Sequence, residues 1–269
     1  MIPIVISITI VLCIAGLIII ARAFKKLHKY LLIKDTPTST IRSIAMGIVE
    51  INGRAYAKEY LETPHSRSKC VYYRYEIEEY QERTTTDSEG NTETTYEWVT
   101  IDKGRRHIPF YARDRTGEAF IDPGGAEYHV PEKKMLYHPI HGHEPRLTLG
   151  KRLSNWWHHR QTVLTKTESG LYVFYPGDEF PIYPSVGDKR SHEYYIEPGG
   201  FVYIMGTAVP TRDISGNTII KKGRSEKTLL ISNKPEEELL DEVRGSTAGF
   251  FVLGFFLIAA GLGILVYFL

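Results

Sequence analysis

The chain has ten histidines, and three of them lie close together in the stretch YHPIHGHEP. His138, His141 and His143 fall within six positions. Imidazoles at this spacing can ligate zinc, with His158 or His159 completing the site, and an open coordination position would let the metal activate water. No recognised metal motif surrounds them. The three histidines are therefore a candidate metal site, and a His-metal-dependent enzyme is one alternative function.

Two near-repeats, IDPGGAEYHV and IEPGGFVYIM, resemble ligand loops at first sight. Both lack the glycine spacing and the following helix that a phosphate loop needs. Pro after an acid favours extended geometry, and Pro followed by Gly suits the centre of a type II turn. We therefore interpret residues 122–125 and 197–200 as corners between strands. The sequence also has no nucleophile elbow and no dinucleotide fingerprint, so we predict no catalytic residue and no cofactor, and an enzyme is the less favoured class.

These residues must be positioned by a chain whose two ends are nearly continuous apolar runs. MIPIVISITIVLCIAGLIIIA carries no charge before Arg22, and TAGFFVLGFFLIAAGLGILVYFL carries none up to Leu269. About 20 apolar residues suffice to cross a hydrocarbon core. A cleaved signal peptide would have basic residues before the first run, and there are none. We predict transmembrane helices at residues 1–23 and 247–269, with one soluble domain at residues 24–246.

The basic residues near the spans predict their orientation in the membrane. They all follow the first span, and the positive-inside rule then places the domain in the cytoplasm and both short termini outside, across the cell membrane. The net charge of +1 gives no attraction to nucleic acid. The basic residues that follow the first span are Arg22, Lys25, Lys26, Lys29 and Lys34.

The predicted spans carry small residues and no ionisable side chain in their cores. We therefore do not expect the spans to conduct ions or protons. Ala259 and Gly263 have the small-xxx-small spacing that lets helices approach closely. We expect the spans to pair with each other or to form a homo-oligomer. Cys13 lies in the first span and Cys70 in a predicted strand, so no disulfide is expected within the soluble domain.

Between the spans, most segments have the pattern of short strands bounded by Gly, Pro or Asn. CVYYRYEIEEY alternates with a period of two, and with YEWVTI it predicts a long hairpin whose tip, QERTTTDSEGNTETT, is a solvated loop. Asn52 and Gly53 predict a two-residue hairpin turn. Many short strands at such spacing favour a β-barrel or sandwich, so the fold class is α+β, mainly β.

Helical patterns are few in this central region. Thr36 before Pro37 predicts a short helix that ends at Gly47, and KPEEELLDEVR predicts a helix that leads into the second span. KRLSNWWHHRQTVLTKT is the only candidate for a further helix. Its Trp156 and Trp157 are expected in the core, with the membrane headgroup region as the alternative.

Four stretches in register resemble the GIDE family, also called the "beside a membrane" domain: TSTIRSIAMGIVEINGRAY, TPHSRSKCVYYRYEIEEY, WVTI with IPFYARDRTGEAFIDPGGAE, and EYYIEPGGFVYIMGTAV. The resemblance implies a domain held between two membrane spans and a relation to E3 ubiquitin ligases. In mitochondrial members that domain faces the intermembrane space, whereas the basic flank here favours the cytoplasm. The eukaryotic ligases carry a RING after the second span. A RING needs about eight Cys and His ligands, and these 269 residues contain two cysteines.

The sequence therefore favours a membrane-anchored interaction module. A complete domain is held at both ends by anchors, and no catalytic constellation is found. We expect it to lie against the lipid bilayer as a scaffold that binds an unidentified protein or further copies of itself. An E3 ubiquitin-ligase-like function is the second alternative, and it follows from the resemblance alone.

Overall fold

The computed structural model describes residues 2–88, 90–140, 165–166, 171–176, 184–210, 218–224 and 227–268. The chain is mostly strand, at 43%, and the described strands include a five-strand closed barrel. An apolar helix precedes the strands and another follows them. The predicted class, α+β and mainly β with a barrel between two apolar helices, is confirmed.

The described elements have the following bounds in chain order. They are α1 (Ile2–Asp35), β1 (Thr38–Ser39), a 3₁₀ turn (Ile41–Ser43), β2 (Gly47–Tyr56), β3 (Leu61–Glu62), β4 (Lys69–Cys70), β5 (Tyr72–Thr86), β6 (Thr92–His107), β7 (Phe110–Arg113), β8 (Glu118–Ile121), β9 (Glu127–His129), β10 (Glu132–His138), β11 (Thr165–Lys166), β12 (Tyr172–Phe174), β13 (Lys189–Ile196), β14 (Phe201–Pro210), β15 (Thr218–Lys221), β16 (Leu230–Ser232) and α2 (Glu236–Phe268).

The chain divides into two compact units. The first comprises Met1–Asn52, Gly125–His129 and Tyr203–Leu269, and it contains both helices. The second comprises Gly53–Gly124 and Val130–Val202.

Helices α1 and α2 of the first unit pack antiparallel through small residues. A Cβ atom added to Gly16 would lie 2.8 Å from the carbonyl oxygen of Gly254, and one added to Gly254 would lie 3.1 Å from the carbonyl oxygen of Gly16. Thr9 Oγ1 donates to the carbonyl oxygen of Gly261 at 3.2 Å. The two backbones are therefore in direct contact, as small residues allow.

The small residues that pack are not the ones that the sequence pattern suggested. Gly254 and Gly261 are buried, whereas Ala259 and Gly263 are exposed. A Cβ atom added to Gly263 would have no atom within 4 Å. The spans pair as predicted, but through a seven-residue spacing that keeps one face of α2 towards α1.

Strands β14 and β16 carry the core on which the polar ends of both helices rest. Strand β16 pairs antiparallel with β14 and parallel with β9. Ile33 of α1 and Leu239 of α2 are buried in one cluster with Tyr203, Met205 and Leu230 of the strands. Fully burying a side chain of this size contributes roughly 1.5–3 kcal/mol. Both helices are therefore fixed to the strands of their own unit.

A polar network joins α1 and α2 to strand β9. Lys29 Nζ donates to Glu127 Oε1 at 2.6 Å, and the imidazole of His129 lies 3.0 Å from the same oxygen. The hydrogen bond from His129, together with the hydrogen bond and charge of Lys29, lowers the pKa of Glu127 to about 2. His129 Nδ1 also lies 3.7 Å from Glu242 Oε1 of α2.

The second unit contains a six-stranded sheet in the order β11-β12-β10-β13-β5-β6. Its neighbouring strands pair antiparallel throughout. Strand β7 pairs with β8 in a short hairpin, in which Asp114 Oδ1 accepts from the N–H groups of Thr116 and Gly117.

Two local predictions near the start of the domain are wrong. Strand β2 runs through Asn52 and Gly53 without a turn. Glycine suits this position because an added Cβ atom would lie 3.0 Å from the carbonyl oxygen of Arg113, a tight contact. The helix predicted from Thr36 is only a short 3₁₀ turn, because the Thr36 hydroxyl donates back to the carbonyl oxygen of Leu32 in α1 instead of capping a new helix.

The long hairpin is confirmed, but its tip is much shorter than predicted. Strands β5 and β6 continue through the Thr-rich segment, since threonine is β-branched and packs well in strands. The chain reverses near Asp87, whose backbone N–H donates to the carbonyl oxygen of Asn91. Gly90 there has a φ of 85°, which favours glycine.

The two Pro-Gly-Gly motifs turn in different ways. Gly199 has a φ of 71° and Gly200 N–H donates to the carbonyl oxygen of Glu197, as a type II turn requires. In the other motif the positive φ belongs to Gly125, and Asp122 Oδ1 accepts from Gly124 N–H. The type II prediction is therefore confirmed at residues 197–200 and wrong at residues 122–125, where an aspartate side chain takes over the turn.

Candidate functional site

The β5–β6 hairpin extends past the rest of its sheet. The two strands pair from Tyr72 opposite His107 to Thr86 opposite Thr92. Their register shifts once, between Ile77 and Glu78. The neighbouring strand β13 pairs with β5 only as far as Glu79. Residues 81–86 and 92–97 therefore form a two-stranded ribbon among the described strands.

Aromatic side chains stiffen the base of this ribbon. The ring of Tyr80 stacks on that of Tyr96 with a centroid distance of 6.1 Å and contacts Trp98 at 5.2 Å. Arg83 and Glu97 form an exposed ion pair at 3.1 Å across the two strands. Cross-strand pairs of these kinds each contribute up to about 1 kcal/mol, so they stabilise the ribbon.

Strand β6 is the outermost strand of the sheet, and it is 16 residues long. No described strand pairs with its outer edge. Lys103, Arg105 and Arg106 are exposed on it, and none of them forms an ion pair with a described residue. Gly104, between them, lets the strand approach the Tyr75 ring, from which an added Cβ atom would be 2.7 Å away. The result is an open, basic strand edge.

An ionic cluster spans β5, β13 and β10 in the second unit. His192 Nδ1 lies 3.0 Å from Glu132 Oε1, and His192 Nε2 lies 3.2 Å from Glu78 Oε2. Burial alone would lower the pKa of His192, but the hydrogen bond and charge of Glu132, with the charge of Glu78, raise it overall. Arg190 donates to the same Glu78 carboxylate and stacks over the Trp98 ring at 4.4 Å.

Only one of the predicted metal ligands lies in the described part of the chain. His138 ends β10 and lines a small cavity, together with His65 from the turn between β3 and β4. His141 and His143 lie outside the described residues, as do His158 and His159. The described residues contain no group of three or more His, Cys, Asp or Glu side chains placed to hold a metal ion. The metal site therefore stays a prediction. The pair Trp156 and Trp157 also lies outside the described residues.

A family model described as "E3 Ubiquitin ligase", named GIDE, matches residues 79–266. The match covers well over half of the chain. The chain belongs to the GIDE family. No curated protein and no solved structure matched it. The family relates this GIDE protein to E3 ubiquitin ligases, and the two apolar helices at its ends are long enough to cross a membrane.

The GIDE match begins at Glu79, inside the hairpin, and ends within α2. It therefore includes the ribbon, the open edge of β6, the ionic cluster except Glu78, and most of the second apolar helix. Sequence reasoning found the hairpin of this GIDE domain but missed the open edge. An edge strand and a central strand have similar residue patterns, and the run of basic residues in DKGRRH was the one available signal.

Proposed function

We propose that this GIDE protein is an integral membrane protein whose domain binds an acidic, extended segment of a partner protein by strand addition to β6. The observation that carries this proposal is the outer edge of β6, which no described strand covers, beside three exposed cations that form no ion pair with a described residue. An extended peptide can add a strand to such an edge, and its main-chain hydrogen bonds then supply the affinity.

Membrane anchoring is supported by where the apolar surface lies. Only 17% of the most apolar window of the first helix and 11% of that of the second are buried. A core helix of a soluble protein would be mostly buried. Helix α1, with 34 residues, is about 50 Å long and exceeds a hydrocarbon core of about 30 Å. The surplus length corresponds to the polar end that rests on β14 and β16.

Strand addition is supported by how the edge is protected. Proteins block long exposed edges with prolines, bulges or charged side chains. Strand β6 contains no proline and has one bulge, at Ile101. After Asp102, its charged side chains at Lys103, Arg105 and Arg106 are all positive. Such an edge resists unspecific pairing and favours a segment with carboxylates at matching positions.

A second copy of the chain fits this edge less well than an acidic segment. Antiparallel pairing of two β6 edges around Gly104 would bring Lys103 of one copy opposite Arg105 of the other. Like charges directly opposite each other destabilise a sheet. The scaffold role is therefore proposed through a different protein, and self-assembly through β6 is an outcome that the test must detect.

The test uses the full chain in lipid nanodiscs with two fluorescent peptides, one alternating Glu and Val and one alternating Lys and Val. We expect the acidic peptide to bind and the basic peptide not to bind. The double variant Arg105→Glu and Arg106→Glu should abolish binding, whereas Lys69→Glu, an exposed charge reversal on β4, should leave it unchanged. Equal binding of both peptides, no binding, or a dimer that forms in place of the complex would refute the proposal.

We place the domain in the cytoplasm on the strength of the basic residues that follow the first span. A cysteine at Thr86, exposed at the end of β5, reports this orientation. Native Cys70 should not react with the maleimide because it is fully buried. Burial, with the charges of Glu193 and Glu62, also raises the pKa of its thiol to about 12. An impermeant maleimide should label Thr86→Cys only after permeabilisation. Labelling in intact cells would show that the domain lies outside.

A further inference from the structure

Four basic residues lie on one side of α1, where the helix leaves its apolar segment. Arg22, Lys25, Lys26 and Lys29 have the spacing i, i+3, i+4, i+7, which places them on one face of an α-helix. We call these four residues the basic face. Arg22 is the first charged side chain of the chain, so the basic face begins where the apolar part of α1 ends.

The half-buried Lys26 holds this face beside α2. Its Nζ donates to Ser246 Oγ at 3.1 Å and lies 4.3 Å from the centre of the Phe250 ring. Both of these contacts are uncharged. The Ser246 hydroxyl in turn donates to the carbonyl oxygen of Val243. The Lys26 ammonium is therefore fixed between the helices, but no carboxylate of a described residue pairs with it.

Among the described residues, carboxylates neutralise the basic face at one end. Lys29, at the end away from the apolar segment, donates to Glu127 Oε1 at 2.6 Å. Arg22 and Lys25 are exposed, and neither forms an ion pair with a described residue. Positive charge is thus left over at the end that is nearer to the apolar segment.

This surplus charge lies at the level expected for lipid headgroups. Arg22 and Lys26 are about 6 Å apart along the helix axis, and the headgroup layer of one leaflet is about 5–8 Å thick. Residues 1–34 and 243–269 contain no Asp or Glu. Neither helix therefore supplies a carboxylate at this level, and the balancing charge must come from another molecule.

The surface next to the basic face is apolar and exposed. Val11, Ile14 and Ile18 precede Arg22 at intervals of three or four residues, so they continue the same side of α1. All three side chains are exposed. A ligand that carries an acyl chain below its charged group fits this arrangement, whereas a free phosphate ion would use only the basic end.

We propose that Arg22, Lys25 and Lys26 bind the phosphate of one anionic phospholipid in the leaflet at the polar ends of α1 and α2. The guanidinium group of Arg22 suits two phosphate oxygens, and the two ammonium groups add positive charge. The inference rests on the membrane insertion proposed above and adds to it the class of lipid that is bound. It does not depend on strand addition at β6, because it uses a different set of residues.

Charge selects the class of lipid. The headgroup of phosphatidylcholine carries a cation next to its phosphate, and this cation would be repelled by the three basic side chains. The headgroup of phosphatidylglycerol is anionic and carries no cation. Basic residues close to the membrane surface each strengthen the attraction to anionic lipids by roughly fivefold.

The experiment applies native mass spectrometry to the full chain released from detergent micelles, after addition of phosphatidylglycerol, phosphatidylcholine or glycerol 3-phosphate. We expect one phosphatidylglycerol to bind at least about tenfold more tightly than phosphatidylcholine. Glycerol 3-phosphate should not bind, because it lacks the acyl chains. Lys26→Gln should weaken binding of phosphatidylglycerol about fivefold, and the double variant Arg22→Gln and Lys25→Gln should weaken it further.

Arg244→Gln is the matched control. Arg244 is an exposed cation of α2, but it precedes Ser246 by two residues and so lies on the other side of that helix. Its loss should leave lipid binding unchanged. The inference is overturned if the two lipids bind equally, if the double variant binds phosphatidylglycerol like the native chain, or if Arg244→Gln weakens binding as much as Lys26→Gln. Binding of glycerol 3-phosphate as tight as that of the lipid would assign the site to free phosphate and overturn it too.

Alkaline carbonate extraction of cell membranes separates this inference from the proposal of membrane insertion. A chain that stays in the membrane pellet and shows no preference for phosphatidylglycerol contradicts the lipid site alone. A chain that is released into the supernatant contradicts membrane insertion and, with it, the lipid site.

Discussion

Among the described residues, each unit of this GIDE protein buries one glutamate completely, and the two carboxylates are hydrogen-bonded in different ways. Glu50 of the first unit accepts from the Tyr203 hydroxyl at 2.7 Å and from the Thr38 hydroxyl at 2.5 Å. Glu193 of the second unit accepts two backbone N–H groups with one oxygen, and its other oxygen has no hydrogen-bond partner among the described residues. A buried carboxylate with both oxygens satisfied stabilises a fold, whereas one with an oxygen to spare leaves local polarity unsatisfied.

The same contrast extends to the surroundings of the two glutamates. The first unit holds the closely packed helix pair and the cluster around Tyr203 and Met205. The second unit holds a cavity beside Ser191 and an open strand edge. The helix pair that anchors the chain is thus closely packed, whereas the strand edge where we propose binding is open on the side that no described strand covers. The following predictions test this difference, from the largest expected effect to the smallest.

Bulk added to the helix pair should have the largest effect. In Gly254→Leu the first added carbon already falls 2.6 Å from Ile20 Cγ1, so the helices must separate. We expect a loss of about 3 kcal/mol in the free energy of unfolding, measured by denaturant titration in mild detergent. Gly263→Leu, where an added Cβ has no neighbour within 4 Å, should change it by less than about 0.5 kcal/mol. Equal effects of the two variants would show that the helices do not pack through Gly254.

Removal of one partner of Glu50 should have the next largest effect. Tyr203→Phe leaves a fully buried carboxylate oxygen without its donor. The expected loss is about 2 kcal/mol by the same titration, since hydrogen bonds to charged groups are the stronger ones. Tyr96→Phe, at a tyrosine that is 52% exposed, is the matched control and should be near neutral. A neutral Tyr203→Phe would mean that Glu50 is satisfied in another way.

The glutamate of the second unit should tolerate a change that the first does not. In Glu193→Gln the amide oxygen still accepts from His65 and Ser66, and the amide nitrogen replaces the oxygen for which the described part of the chain offers no donor. We expect a change below about 1 kcal/mol in the free energy of unfolding. If Glu193→Gln costs as much as Tyr203→Phe, the two buried carboxylates are equivalent and the contrast between the units fails.

The smallest effect is a dependence on pH in the second unit. The raised pKa of His192 means that the folded state holds its proton more tightly than the unfolded state does. The stabilisation is fully present below the ordinary pKa of 6.5 and is lost as the pH rises through the raised value. The free energy of unfolding should therefore fall as the pH increases above about 6.5, and His192→Gln should flatten that slope. An unchanged slope in His192→Gln would exclude this cluster as its source.

The sequence predicted the elements whose residue patterns are local. The apolar ends, the alternation in CVYYRYEIEEY and the helical pattern of KPEEELLDEVR all correspond to observed elements. The hairpin turn predicted at Asn52 and Gly53 is wrong because Gly53 instead allows the backbone of Arg113 to approach closely, and no local sequence pattern reveals this contact. The long loop predicted for the Thr-rich tip is wrong because these residues pair across the hairpin as strands despite their polar composition.

The candidate sites depend on contacts that are distant in the sequence. Lys26 contacts Ser246 and Phe250 because α1 and α2 pack side by side, and nothing near Lys26 in the sequence predicts these contacts. The edge position of β6 follows from strand order, which the residue pattern of one strand does not contain. Only the basic composition of residues 103–106 could have drawn attention to this edge.

The most direct test of strand addition is amide hydrogen exchange of the full chain in nanodiscs, with and without the peptide that alternates Glu and Val. We predict that amides of residues 99–106 on the outer edge of β6 exchange fast in the free chain and become at least tenfold more protected when the peptide binds, while α1 and α2 do not change. Protection of this edge already in the free chain, or no change on adding the peptide, would contradict the account.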